Sequence, residues 1–261
     1  MIRVPFVDIR KYFADYIELY GGQVTDQTIE PTPNLPKNAD YIFRSESVIA
    51  ELKCLEEDLE SKQDFVNKRQ ALIEKWLREK IIEPPQVSGP MIHTKEFPEA
   101  CQRDLKELYG RTIKTHLRKA NAQIRQSVVD FDMPTAKGLL LLANDGNYTL
   151  EPQNVLLILL RILNRGDLFP FINTVVYFTP NMVVRMPDGS IGPLWMHVWR
   201  DMNIGIPLEF LNALGAGWAA FHGKLMGRAM TMESYVNEEG IDPNNLVDDT
   251  KHIKPIIRAP R

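Results

Sequence analysis

At 261 residues, with 44% hydrophobic and 25% charged residues, the chain is long enough to bury one large core and too apolar to stay disordered. A net charge of -3 argues against a surface that is basic throughout, while leaving room for a local basic groove. Two cysteines, Cys54 and Cys101, without a CxxC pair, argue against a structural zinc site; they fit a reducing compartment and allow at most one disulfide.

The first residues lack the apolar stretch of a secretory signal. The most apolar run, Val155 to Leu160, is far shorter than the roughly 20 residues a membrane span needs. The expectation is a soluble, cytoplasmic protein without membrane contact.

In chain order, residues 7–20 predict a helix. Ile9, Tyr12, Phe13, Tyr16 and Ile17 recur at helical spacing, Asp8 can cap the start, and Gly21-Gly22 ends the run. A proline-broken loop follows. Residues 39–43 and 47–53 predict two strands around a polar break at Arg44-Ser45-Glu46. Residues 55–80 predict a charged helix whose apolar side carries Phe65, Ile73 and Trp76, and residues 81–98 a proline-rich connector. A second long helix spans 99–130, with Gly110 as a candidate kink.

The run Leu139 to Ala143 predicts a buried strand, closed by the turn Asn144-Asp145-Gly146-Asn147. Residues 152–164 predict a buried helix. Residues 173–186 and 191–199 predict extended segments joined by turn chemistry at Pro187-Asp188-Gly189, and residues 207–230 a small-residue helix. The expected organisation is one α/β domain over residues 1–235, a helical insertion over about 55–137, and a C-terminal tail at 236–261.

Chemistry concentrates on the strand pair. Alternation puts Ile49, Glu51 and Lys53 on one face. If the hairpin closes around Ser45-Glu46, Phe43 pairs with Val48, Ile42 with Ile49, and Asp40 falls opposite Glu51. Directly opposed carboxylates repel, and a divalent cation with a taste for oxygen ligands relieves the repulsion. Lys53, one step along the same face, balances charge and can orient a water beside such an ion. Glu-x-Lys alone carries almost no information. The bland alternative is an exposed hairpin edge with ordinary surface charges.

Asp40, the ten residues after it and Glu51-Leu52-Lys53 resemble the PD-(D/E)xK nuclease superfamily. The order around them also fits: a first helix, the strand pair, a helical region, then the apolar strand at 139–143. The resemblance implies a restriction-endonuclease-like α/β fold, a mixed central sheet flanked by helices. It implies that Asp40, Glu51 and the carbonyl of Leu52 bind Mg²⁺ or Mn²⁺ and that Lys53 assists the attacking water. An acid on the first helix often joins such a site, and Glu18 matches it, with Asp15 as its rival. The implied activity is metal-dependent cleavage of nucleic acid, DNA before RNA. The alternative is a nuclease-like fold kept as a silent interaction or regulatory module. A homo-oligomer is among the states open to it. Asn38-Ala39 departs from the proline that the family name places before the first acid.

On the helix 99–130, Arg111, Lys114, Arg118 and Arg125 share a stripe separate from the apolar stripe of Ile113, Leu117, Ala120, Ile124 and Val128. It reads as a phosphate-tracking face beside the site, or, more commonly for such a pattern, as a solvated face. Lys119 sits between the stripes. Gly215-Ala216-Gly217 matches a dinucleotide fingerprint only superficially, with no strand before it, and is expected to serve helix packing. His197, between Trp195 and Trp199, is expected to be a packed histidine. His93, His116, His222 and His252 are scattered, and no G-x-S-x-G elbow is present.

Overall fold

The computed structural model describes residues 7–25, 37–87, 96–164, 168–185, 191–201 and 204–227, with backbone strands at 234–235 and 255–257. Helix α1 (Ile9–Tyr20) begins where the Asp8 side chain accepts from the Lys11 N–H, and it stops at Gly21, whose φ of 93° suits a residue without Cβ. After it come β1 (Gln23–Val24), β2 (Tyr41–Phe43), β3 (Val48–Leu55), α2 (Gln63–Arg78), α3 (Glu99–Asp130), β4 (Lys137–Asn144) and α4 (Pro152–Leu163). The second half holds β5 (Thr174–Phe178), β6 (Val183–Arg185), β7 (Ile191–Gly192), β8 (Trp195–Trp199), α5 (Leu208–Leu225), β9 (Ser234–Tyr235) and β10 (Pro255–Ile257).

Among the described residues one sheet runs β1-β2-β3-β4-β5-β8-β9, and a smaller one runs β10-β6-β7. The large sheet is mixed. β2 runs antiparallel to both its neighbours, β1 and β3; β3, β4 and β5 run parallel, and β8 returns antiparallel to β5. Helices cover both faces, so the middle strands are apolar on both sides, as Leu139 to Ala143 shows. One face places Val48, Ala50, Leu52, Leu139, Leu141 and Phe178 against α1 and α5. The other places Ile42, Ile49, Leu140, Leu142, Val175 and Tyr177 against α3 and α4. The chain is therefore α/β, a mixed sheet between helical layers.

The expected insertion over 55–137 is smaller than the pattern suggested. Parallel strands cannot be joined by a hairpin, so β3 and β4 need a crossover, and the second half of α3 is that crossover, packed on the sheet through Ile113, Leu117, Ala120 and Ile124. α2 touches this layer through Phe65 and Leu72, while its second half and the start of α3 lie to the side. They close a small core of their own from Ile73, Trp76, Ile82, Phe97, Cys101 and Leu105, with the Trp76 indole N–H donating to Asp104. α3 does not break at Gly110. The missing side chain there lets Ile158 of α4 come close, within 3.3 Å of where a Cβ would stand.

The expected extended segment 173–186 divides into β5 and β6, because Asn181 turns inward and clamps Val7, accepting from its N–H and donating to its C=O. The turn at 187–189 lies outside the described residues. So does the tail 236–261, apart from β10, whose backbone pairs with β6. No described helix is long and apolar enough to cross a membrane.

Candidate active site

The β2–β3 hairpin closes in the expected register: Phe43 faces Val48, Ile42 faces Ile49 and Tyr41 faces Ala50. One step further Asp40 leaves the ladder beside Glu51, and side chains take over from backbone pairing. The Glu51 Oε2 accepts from the Asp40 N–H at 3.1 Å. In return Asp40 Oδ2 accepts from the Leu52 N–H at 2.8 Å. The C=O of Asp40 accepts from the Thr25 N–H at 3.0 Å, so β1 holds this residue from its other side.

Lys53 completes the group. Its Nζ donates to Glu51 Oε1 and, at 2.8 Å, to the Gln123 Oε1 of α3. Gln123 donates in turn to the Asn38 C=O at 3.2 Å. One helical turn on, the Ser127 hydroxyl accepts from the Ala39 N–H at 2.8 Å and donates to Asn38 Oδ1 at 3.2 Å.

Glu51 is 1% exposed, beside Lys53 and Asp40 on a face whose other members, Ile49 among them, are apolar. Burial pushes its carboxyl up to about 8, and the neighbouring Asp40 pushes the same way, while Lys53 opposes both. At the two ends of β3, Ser47 and Leu55 turn their carbonyls toward the β4 side, accepting from Lys137 and Asp145. Backbone alternation therefore turns Leu52 to the edge where β2 has ended. Its N–H is taken by Asp40, and its carbonyl faces the same edge.

Two carboxylates and a carbonyl are hard oxygen donors. Mg²⁺ is commonly held by one or two carboxylates with water completing the shell, so this set fits such an ion. Among the described residues no group of three or more His, Cys, Asp or Glu side chains is placed to share a metal ion. Glu18 accordingly stands apart: it is exposed on α1, which packs on the opposite face of the sheet from Glu51. Asp15 is likewise exposed. The α1 residue that acts on Asp40 is Arg10, which also pairs with Glu56 at 3.0 Å.

No protein-family model, curated protein or solved structure matches this chain. The site is read from its own geometry.

Of the two readings of Arg111, Lys114, Arg118 and Arg125, the structure supports the solvated face and not a face beside the acids. Arg111, Arg118 and Arg125 are exposed and Lys114 half-buried, as a basic face should be. Yet at 100° per residue they lie about 120–180° around α3 from Gln123. Gln123 touches Lys53, so the stripe points away from the acids. The cations nearer the site are different ones. His116, on the Gln123 side of α3, has a pKa lowered to about 4, first by burial and then by Lys53, Lys119, Arg10 and Lys62. Its Nδ1 is buried without a hydrogen-bond partner.

Gln123, Ser127 and His116 were not singled out in the sequence. The available signal was position: all three flank the buried stripe of α3, where a polar side chain can still reach the sheet.

The remaining candidates are structural. A Cβ at Gly215 would meet the Trp195 indole at 2.6 Å, and one at Gly217 the Tyr16 hydroxyl at 2.5 Å. His197 is 5% exposed between Trp195 and Trp199, with neither ring nitrogen hydrogen-bonded. His222 stacks on Trp218. The Asn144 amide ties down its turn, donating to Asn147 O, Leu150 O and Tyr177 Oη. Cys54 is buried, its thiol pushed up to about 12, which leaves it unreactive. His93 and His252 lie outside the described residues.

Proposed function

We propose that the chain is a metal-dependent phosphodiester hydrolase, a nuclease of PD-(D/E)xK type with a restriction-endonuclease-like fold. Its substrate is nucleic acid, DNA before RNA, and its ion Mg²⁺ or Mn²⁺. The observation that carries this reading is the convergence of Asp40, Glu51 and Lys53 at the edge where β2 ends, in the facing register that the motif requires. The order of elements agrees: a first helix, an antiparallel strand pair, a helical crossover and an apolar strand parallel to β3.

Asp40 and Glu51, with the Leu52 carbonyl, hold the ion. The chemistry such an ion would supply is Lewis acidity toward a phosphoryl oxygen and a water. Lys53 is anchored by Glu51 and Gln123, and its ammonium orients the attacking water or meets charge developing on the phosphorus oxygens. Lys119, Arg10 and Lys62, which together with Lys53 bear on His116, draw a polyanion toward this edge.

One observation favours a second reading, a nuclease-like fold kept as a silent interaction module. Both Glu51 oxygens already accept hydrogen bonds, and the residue is almost fully buried. An ion has to compete for them.

The test is the purified protein incubated with single- and double-stranded DNA and RNA in Mg²⁺ or Mn²⁺. Cleavage is expected, and it is expected to disappear in Glu51→Ala and Lys53→Ala. Cleavage that survives either substitution excludes this site. Metal binding without turnover on any of the four substrates selects the silent module.

A further inference from the structure

Lys53 has two partners of different kinds. Glu51 is ionisable and, on the reading above, is also wanted by the metal ion. Gln123 is neutral and comes from α3. We infer that Gln123 is a positioning residue: it keeps the Lys53 ammonium in place when Glu51 turns to the ion, and it ties that placement to the segment delivering Asp40. This rests on the proposed nuclease reading for its catalytic consequence, but not for its geometry.

The amide is oriented by its partners. An ammonium offers only donors, so the group facing Lys53 must be the oxygen, at 2.8 Å. The carbonyl of Asn38 offers only an acceptor, so the group facing it must be the NH₂, at 3.2 Å. Both contacts demand the same orientation, and a glutamine satisfies both at once. A glutamate would keep the acceptor but set a second oxygen against the Asn38 carbonyl. A methionine of similar length would satisfy neither. Ser127, one turn later, secures the Asn38-Ala39 backbone from the same helix face. Thus α3 holds both the chain entering Asp40 and the tip of Lys53, two groups that the hairpin alone leaves on separate strands. Lys53 retains some exposure, 15% of its side chain, so without Gln123 its four-carbon stem is free to swing to solvent.

The experiment uses the full chain in three forms, wild type, Gln123→Met and Gln123→Glu, with Lys53→Met to identify the Lys53 signal. Lysine ¹⁵Nζ spectra read the ammonium directly, because only a side chain held by acceptors exchanges its protons slowly. In the wild type one Nζ signal absent from Lys53→Met is expected, and in Gln123→Met its exchange is expected to quicken at least about tenfold, the loss of one charge-assisted hydrogen bond. Gln123→Glu, which keeps an acceptor, is expected to preserve slow exchange. With Mg²⁺ and DNA, kcat of Gln123→Met is expected to fall about 10–100-fold, with KM within about twofold.

An Nζ signal unchanged in Gln123→Met overturns the inference, whether or not the wild type cleaves nucleic acid. Faster exchange with unaltered kcat in an active enzyme also overturns it. Faster exchange in a protein inert toward every nucleic acid supports the placement of Lys53 by Gln123 and counts against the nuclease reading instead.

Discussion

If Asp40 and Glu51 share an ion, binding it must expel a proton. Glu51 has its carboxyl raised to about 8 by burial and by Asp40, and a carboxylic acid does not ligate Mg²⁺ until ionised. At pH 7 roughly nine in ten Glu51 side chains carry the proton, so each ion bound releases about 0.9 proton. Between pH 6 and pH 8 the ionised fraction rises from about one in a hundred to about a half, so the apparent affinity for Mg²⁺ rises about 50-fold, or about 2.3 kcal/mol. His116 and His197, both lowered to about 4, stay neutral across this window and add nothing to the slope.

The sign for the metal-free protein is the reverse. A carboxyl raised on folding stabilises the fold fully below about pH 4.5 and loses that contribution as pH climbs through 8. Rising pH therefore weakens the metal-free fold while strengthening its hold on the ion. Isothermal titration calorimetry in HEPES and in Tris, whose protonation enthalpies differ, counts the protons at each pH. An affinity flat within about twofold from pH 6 to pH 8 would refute the reasoning, as would a release below about 0.2 proton per ion. Binding undiminished in Glu51→Gln would refute the site itself.

Three further outcomes are expected. Gly138→Ala puts a Cβ 1.8 Å from the Phe171 carbonyl oxygen, a backbone atom that cannot swing aside, and chemical denaturation should show a loss of about 2–4 kcal/mol. His197 is buried as the neutral ring, so stability should fall from about pH 6.5 toward pH 4 as the unfolded chain takes up a proton, by about 3 kcal/mol for this side chain; His197→Phe should flatten that part of a urea-midpoint profile against pH. Replacing Arg118 and Arg125 together by alanine should leave cleavage within about twofold, because both face away from the acids, whereas Lys119→Ala should weaken binding to DNA and reduce its dependence on salt.

The hairpin was readable from residues alone because its information is local. Ten residues separate Asp40 from Glu51, the polar break at 44–46 marks the turn, and alternation settles which side chains share a face. The structure reproduces that pairing residue for residue as far as Tyr41 and Ala50. Helix α1 was readable for the same reason, with Asp8 and Gly21 marking its ends.

What failed was the placing of distant elements around this frame. Periodicity distinguishes the apolar stripe of α3 from its polar surroundings, but not which flank of the stripe lies over β3. Both readings of the basic stripe, beside the acids or solvated, were therefore open, and Gln123 and His116 occupy the flank over the acids. Glu18 failed similarly: a helix before the strand pair was expected correctly, but its packing face, set by Phe13, Tyr16 and Ile17, leaves Glu18 outward. The overestimated insertion arose because strand direction is invisible in composition. Once β4 is seen to run parallel to β3, part of α3 is required as the crossover.

That parallel pairing also governs the order in which the site can mature. Val48 meets Lys137 only after the whole intervening stretch has been gathered in, a slow, long-range closure compared with zipping a hairpin. A nascent chain can bring Asp40 near Glu51 early, yet Gln123 reaches Lys53 only with the arrival of α3. Partly folded molecules then carry the acids without the restraint on the lysine, so the full Asp40–Glu51–Lys53 arrangement belongs to the finished protein alone.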